Sequence, residues 1–243
     1  RRAALVLEYA PAGNVWQVLE NAPKSLQLCE LDIRTIARDV LCALKHLAAH
    51  GFAHRDLKPS NMVCTASHPA SHAFSVKLCD FGFCERFDTA REHNQTVKPS
   101  SSAMPPPRKP SRDAAQLDFR GSARYIAPEV VLGLRIDGSV DIWSLGVVLH
   151  VLLLGLWPYG GQSRAELLRN IVDGRLQPCG DASWARVSPE ARRLVQRMLL
   201  NTPAYRINAK EALSHDWFGH HEDGLKRNTL RHDWGRIRAS TCP

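Results

Sequence analysis

The chain contains 243 residues, 44% of them hydrophobic, which is enough for one full-sized core and too apolar for a disordered protein. Its 32 lysines and arginines exceed its 24 acidic residues and give a net charge of +8. Because these basic residues are scattered rather than gathered in a stripe, we do not expect nucleic acid as a partner. The seven cysteines show no CxxC spacing, which argues against a disulfide framework or zinc site. They predict reduced thiols in the cytoplasm, with the nucleus as the alternative.

In chain order, the hydrophobic pattern predicts a mainly α-helical protein with one small β-hairpin. The run ALVLEYA at 4–10 predicts a strand, and the runs NMVC and SVKLC predict a hairpin around 62–79. The predicted helices lie near 15–20, 31–49, 139–155, 163–172, 188–200 and 208–215. Residues 97–111 hold five prolines and four serines, a composition typical of a loop that leans towards polyproline II.

The segment at 140–159 is apolar enough over part of its length to be compared with a membrane-spanning helix. Asp141 and His150 interrupt it, and its longest apolar run is shorter than the about 18 residues that a span requires. A helix that is apolar on all sides is more often the buried centre of a globular domain. We therefore predict a core helix and no membrane span.

Three motifs follow one another in the chain: HRDLKPSN at 54–61, DFG at 80–82 and APE at 127–129. In this order they resemble the C-terminal lobe of eukaryotic protein kinases, and the form DLKPSN is similar to the serine/threonine branch. The sequence at 184–217 is similar to the calcium/calmodulin-dependent kinase group. The resemblance implies ATP-dependent phosphorylation of serine and threonine hydroxyls, with proteins as substrates. The alternative is a kinase-like scaffold that binds partners without catalysis.

The resemblance divides the chain into three parts. Residues 1–14 match the hinge strand and linker, residues 15–218 match the C-terminal lobe, and residues 219–243 form a basic tail. The activation segment spans 80–129 and contains the Pro/Ser-rich insertion at 97–111. The 243 residues contain neither a G-x-G-x-x-G-x-V loop nor a V-A-I-K lysine. We therefore expect the N-terminal lobe to be absent apart from the hinge strand, and the isolated chain to be nearly inactive.

Five positions match the family's catalytic machinery. Asp56 matches the aspartate that accepts the proton of the substrate hydroxyl, and Lys58 matches the lysine that offsets charge on the transferring phosphate. Asn61 and Asp80 match the ligands of Mg²⁺, a hard ion that prefers oxygen. Ser122 replaces the usual threonine that bonds to the catalytic aspartate, and its hydroxyl preserves the donor. The implied cofactors are ATP and Mg²⁺.

Other positions match contacts that the family makes with the nucleotide. They are Leu7 at the gatekeeper, Glu8 and Ala10 at the backbone groups that bind adenine, Asn14 near the ribose, Val63 beneath the base, and Lys58 and Asp80 at the phosphates.

The resemblance assigns structural roles to five more side chains. His54 and Phe81 are expected to stack in an internal column. Asp141 is expected to bond the backbone of the catalytic loop, which would explain a charge inside an apolar helix. Glu129 and Arg206 are expected to form a buried ion pair.

Two regulatory sites follow from the same comparison. Arg55 marks kinases in which a phosphate on the activation segment pairs with this arginine, and Ser111 is our first choice of acceptor. The alternative is a passive insertion whose serines have no function. The tail at 226–238 carries five basic residues with Leu230 and Trp234, which makes calmodulin or another regulator a candidate partner. Because its apolar spacing is poor, we favour an ordinary basic tail.

Substrate preference can also be read from three positions. Kinases that prefer arginine before the target residue carry acids there, and this chain has Asn14, Ser60 and Val151 instead. We therefore predict a weak preference for arginine, unless other acids such as Glu20 compensate.

Overall fold

The computed structural model describes residues 4–21, 28–65, 75–87, 122–219, 230 and 232–239. These residues are mostly helical, as the sequence predicts. The α-helices are α1 Val15–Asn21, α2 Glu30–Ala49, α3 Pro128–Val131, α4 Ser139–Leu154, α5 Arg164–Val172, α6 Asp181–Trp184, α7 Pro189–Met198, α8 Ala209–Leu213, α9 Asp216–Gly219 and α10 Trp234–Ala239. Short 3-10 helices lie at Pro59–Asn61, Ser122–Tyr125 and Pro203–Tyr205.

Helix α4 forms the centre of the core, where α2 and α7 pack against it. It is apolar around its whole circumference, which explains why it is buried on every side. Gly146 allows α7 to approach closely, because a Cβ at this position would lie 2.8 Å from the Cβ of Met198. Within the described residues, none of the helices combines the length and apolar character that crossing a bilayer requires.

In the described part of the chain, four short strands form two antiparallel pairs. Strands β2 (Met62–Cys64) and β3 (Val76–Leu78) pair as the predicted hairpin, with Val63 opposite Lys77. Strands β1 (Phe52–Ala53) and β4 (Glu85–Arg86) pair with Ala53 opposite Glu85. This second pair was not predicted, because two residues are too few for an alternating pattern.

The predicted strand at 4–10 is not formed, because these described residues carry no strand. Their apolar side chains are exposed, Val6 to 94% and Leu7 to 69%. Strand propensity expresses a fit to neighbouring strands and to a packed face, and the described residues give this segment neither. Glu8 makes a surface ion pair with Lys77, and a backbone bond follows where the Cys64 amide donates to the Gly13 carbonyl at 2.8 Å.

The end of the chain packs onto the helical body rather than standing clear of it. The Leu230 amide donates to the Leu28 carbonyl at 2.8 Å, and the Leu230 side chain is buried. The Trp234 ring meets the Trp16 ring of α1 edge-on, with centroids 6.3 Å apart, and Ile237 packs against the core. The apolar residues of the predicted basic tail therefore serve as packing contacts here.

Candidate functional site

The catalytic-loop motif is anchored by a buried carboxylate of α4. Asp141 accepts hydrogen bonds from the backbone N–H of His54 at 2.7 Å and of Arg55 at 2.8 Å. Burial raises the pKa of Asp141, and the two backbone N–H groups oppose that rise. Arg55 has a left-handed φ of 68°, which is unusual for a residue with a side chain. Asp141 thus holds the loop in a conformation that the chain would not adopt alone.

His54 links the catalytic loop to the DFG segment. Its Nδ1 accepts from the Asp56 amide at 3.3 Å, and its Nε2 lies 3.0 Å from the Cys79 carbonyl, to which it donates. The His54 ring is fully buried and lies 5.0 Å from the Phe81 ring. Phe81 was expected inside an internal column, but 49% of its surface is exposed.

The structure brings three of the predicted catalytic side chains into direct contact. Lys58 Nζ donates to the two carboxylate oxygens of Asp56 at 2.7 and 2.9 Å. Asn61 Nδ2 donates to the Asp56 carbonyl at 2.8 Å and to its carboxylate at 2.9 Å. Asp56 is buried, so this arrangement fixes the carboxylate from two sides.

Asp80 reaches the same region through the β2–β3 pair. The Cys79 amide donates to the Asn61 carbonyl at 3.0 Å, which places Asp80 one residue beyond that contact. Asp80 has a left-handed φ of 60°, and its exposed carboxylate accepts from the Gly82 amide at 3.4 Å.

Asn61 and Asp80 have the donor atoms that Mg²⁺ prefers. Because the Asn61 amide nitrogen bonds to Asp56, its side-chain oxygen is the atom left for a cation, and Asp80 offers a carboxylate. Within the described ranges there is no group of three or more His, Cys, Asp or Glu that could hold a metal. A two-ligand site of this kind fits Mg²⁺, which keeps several waters and substrate phosphate oxygens.

A cavity of about 400 Å³ opens beside Asp56. Its walls come from the catalytic loop, from residues 82–85 that lead into β4, and from the residues around APE. They include Arg55, Asp56, Glu85, Tyr125, Ala127 and Ser144. The Ser144 hydroxyl donates to the Tyr125 carbonyl at 2.8 Å and so ties the last of these walls to α4.

The predicted nucleotide contacts are only partly brought together. Asn14 and Val63 form an isolated antiparallel bridge, so they are neighbours. The Asn14 side chain accepts from the Gln17 amide at 3.0 Å and begins α1, a role that the sequence did not predict. Leu7 is exposed, Glu8 pairs with Lys77 at 2.5 Å, and the Ala10 carbonyl accepts from Gly13.

Glu129 and Arg206 form a bidentate ion pair at 2.6 and 3.0 Å inside the protein. Arg206 also donates to the carbonyls of Leu200 and Ser139, and its guanidinium lies 5.1 Å from the Trp143 ring centroid. The pair thus joins the APE helix α3 to α4 and to the loop after α7.

Two of the predicted residues cannot be placed in the site. Ser111 lies outside the described residues, as does the whole insertion at 97–111. Ser122 begins a 3-10 helix, and only its backbone is described. Their roles stay predictions.

Two acidic residues with defined partners were missed at the sequence level. Glu30 is buried and accepts from the Ser188 amide at 2.9 Å and from Trp217 Nε1 at 2.7 Å. Glu85 pairs with Arg55. No local pattern signals either contact, because the partners lie 30 to 187 residues away along the chain.

Known protein kinases are similar to this chain in sequence. Myosin light chain kinase family member 4 from Homo sapiens is 30% identical over 218 residues, covering 90% of this chain and 48% of that protein. Calcium-dependent protein kinase 4 from Plasmodium berghei (strain Anka) is 29% identical over 188 residues, covering 77% of this chain and 30% of that protein. The chain thus spans about half or less of these relatives.

A solved structure of a kinase domain has a similar fold. The autoinhibited serine kinase domain of the giant muscle protein titin matches with a TM-score of 0.72 and 22% identity, covering 95% of this chain and 62% of that one. At that identity the match supports the fold alone. The sequence model described as Protein kinase domain matches residues 1–218, nearly the whole chain. The chain therefore belongs to the protein kinase domain family.

Proposed function

We propose that the protein carrying this chain transfers the γ-phosphate of ATP to serine and threonine hydroxyls of other proteins. The observation that carries this proposal is the contact of Lys58 and Asn61 with the Asp56 carboxylate, at 2.7 to 2.9 Å. Phosphoryl transfer asks a protein mainly for positioned charges, and this cluster provides them.

Each residue has a distinct role in this proposal. Asp56 orients the substrate hydroxyl and accepts its proton. Lys58 turns partly away from the Asp56 carboxylate and neutralises charge on the transferring phosphate. The Asn61 oxygen and the Asp80 carboxylate would hold Mg²⁺, which supplies charge neutralisation on the phosphates when bound. Ser122 would donate its hydroxyl to Asp56.

The substitution Asp80→Asn tests the proposal. It removes the only charged oxygen that we assign to Mg²⁺, so transfer of radiolabelled phosphate from ATP to a serine/threonine peptide library should fall to background. Asp173→Asn is the matched control, because Asp173 forms an exposed pair with Arg175 in the loop after α5. Unchanged transfer in Asp80→Asn would contradict the role assigned to Asp80, whereas background transfer by the wild-type protein would favour a non-catalytic module.

We further propose a weak preference for arginine before the target residue. Val151 is buried, with 2% exposure, so it cannot contact a peptide. The Asn14 side chain begins α1, and neither it nor Ser60 carries a charge. A peptide array that varies the residues before the acceptor measures this preference. A strong requirement for arginine three residues before the acceptor would show that acids elsewhere compensate.

The nucleotide half of the cleft leads to a separate proposal. The 243 residues hold no glycine-rich phosphate loop, and Leu7 is exposed. We expect weak ATP binding and turnover near background from residues 1–243 alone. Titration calorimetry with ATP, compared between this chain and the longest available form of the protein, measures the difference. Tight ATP binding by residues 1–243 would contradict this proposal.

We also propose two candidate modes of regulation and a cytoplasmic location for the protein. Calmodulin binding at the tail would require Trp234 and Ile237 to leave their packing contacts. Phosphorylation of Ser111 would give Arg55 an added anionic partner. The six cysteines in the described part of the chain are free thiols, which supports a cytoplasmic location.

A further inference from the structure

Arg55 immediately precedes the catalytic aspartate, and its side chain is paired with Glu85. Its guanidinium donates to the Glu85 carboxylate. The Arg55 side chain is 12% exposed and the Glu85 side chain 59% exposed, so the pair lies at the protein surface with the arginine more enclosed. The pair also lines the cavity beside Asp56.

Glu85 reaches Arg55 from a fixed position in the fold. It lies in β4 opposite Ala53, two residues before Arg55. The Phe87 amide donates to the Gly51 carbonyl at 2.7 Å and continues this ladder. Because the ladder is made of backbone bonds, the approach of Glu85 does not depend on the insertion at 97–111.

The conformation of Arg55 makes this contact relevant to the catalytic loop. Its left-handed φ of 68° is strained, and its backbone N–H is held by Asp141 at 2.8 Å. Fixing the side chain as well restrains the same residue from a second side. Because the peptide bond between them is planar, fixing Arg55 also limits the positions that Asp56, the next residue, can take.

We propose that Glu85 is a positioning residue for the catalytic loop: its carboxylate holds Arg55 from within β4 and makes the loop geometry independent of a phosphate on the activation segment. The inference rests on the proposed kinase function and deepens it. A phosphate at Ser111 would then compete with Glu85 for Arg55 rather than create the contact.

The experiment compares charge variants in the protein that carries this chain. Glu85→Gln keeps the shape and removes the charge, and we expect kcat to fall about fivefold while KM for ATP changes less than about twofold. Arg55→Glu alone should lose more activity, because two carboxylates then face each other. The exchange Arg55→Glu with Glu85→Arg restores opposite charges and should recover most of that loss. Asp173→Asn, in an exposed ion pair elsewhere, is the control and should leave kcat unchanged.

Phosphatase treatment separates Glu85 from a regulatory phosphate. Treated wild-type protein should keep its kcat within about twofold, since Glu85 holds Arg55 without modification. A loss of more than about tenfold on treatment, or no effect of Glu85→Gln, would overturn the proposal.

Amide hydrogen exchange tests whether Glu85 positions the catalytic loop and does not require an activity measurement. Glu85→Gln should speed exchange at the His54 and Arg55 amides severalfold, and leave exchange in the core of α4 unchanged. If the wild-type protein transfers no phosphate, the kinase function fails while this measurement still tests the positioning role. Unchanged exchange at both amides would overturn the inference even in an active enzyme.

Discussion

The catalytic loop at 54–61 and the N-terminal segment at 4–10 are held in different ways. The loop is tied to Asp141 by two backbone bonds, and His54, Asp56 and Asn61 are buried. The segment at 4–10 is largely exposed, and its Glu8 makes a surface contact with Lys77. The part of the site that would handle the transferring phosphate is therefore preorganised by this chain, whereas the part that would bind the base is not.

The largest effect on the free energy of unfolding is expected from breaking the buried ion pair of Glu129 and Arg206. Arg206→Met leaves the Glu129 carboxylate buried without its partner and should lower the free energy of unfolding by about 3–5 kcal/mol. Urea denaturation measures the change. Adding Glu129→Gln to Arg206→Met should recover part of the loss, because the remaining buried group is then neutral. A loss below about 1 kcal/mol in the single variant would show that the pair contributes little.

Removing the loop anchor should have the next largest effect. Asp141→Ala removes the acceptor of one buried and one partly buried N–H group and should destabilise the protein by about 2–4 kcal/mol, because a buried group costs about 1–3 kcal/mol and a partly buried one costs less. Urea denaturation again measures it, with Asp173→Ala as an exposed control. Equal stability of Asp141→Ala and wild type would mean that water or other donors replace the anchor.

Acid should weaken the helical body through His150. Burial lowers the pKa of His150 to about 4, and its ring donates to the Leu156 carbonyl at 2.8 Å. The unfolded chain therefore binds a proton below pH 6.5 that the folded chain takes up only near 4, so stability is lost as the pH falls through this window. His150→Gln should lose about 2–3 kcal/mol less than wild type between pH 6.5 and 4. Parallel stability curves for the two proteins would contradict this.

The smallest effect is expected in the N-terminal segment. Glu8→Ala breaks an ion pair in which both side chains are more than half exposed, and solvent screens such pairs strongly. We expect the free energy of unfolding to change by less than about 1 kcal/mol, measured by urea denaturation. A larger loss would show that this segment is held as firmly as the catalytic loop, and would remove the contrast between them.

Six of the described helices could be predicted because each of them carries its own signal in the sequence, whereas the short α3, α6, α9 and α10 were not predicted. The predicted helix at 31–49 corresponds to Glu30–Ala49, and the one at 139–155 corresponds to Ser139–Leu154. The helix at 188–200 begins where Ser188 and Pro189 predict it, with the Ser188 hydroxyl accepting from the Ala191 amide. The strand predicted at 4–10 was wrong, because a strand is defined by its neighbours and not by its own residues.

The sequence by itself indicated the kinase family through its resemblance at the three motifs, and it predicted six of the helices, because their signals depend on residue type and short spacing. Only the tertiary structure decided that Glu85 meets Arg55, that Glu30 meets Ser188 and Trp217, and that the end of the chain packs near Trp16. These contacts join residues from 30 to 218 positions apart. Their energy comes from burial and from paired charges in the folded state, and no local pattern in the chain encodes the partner.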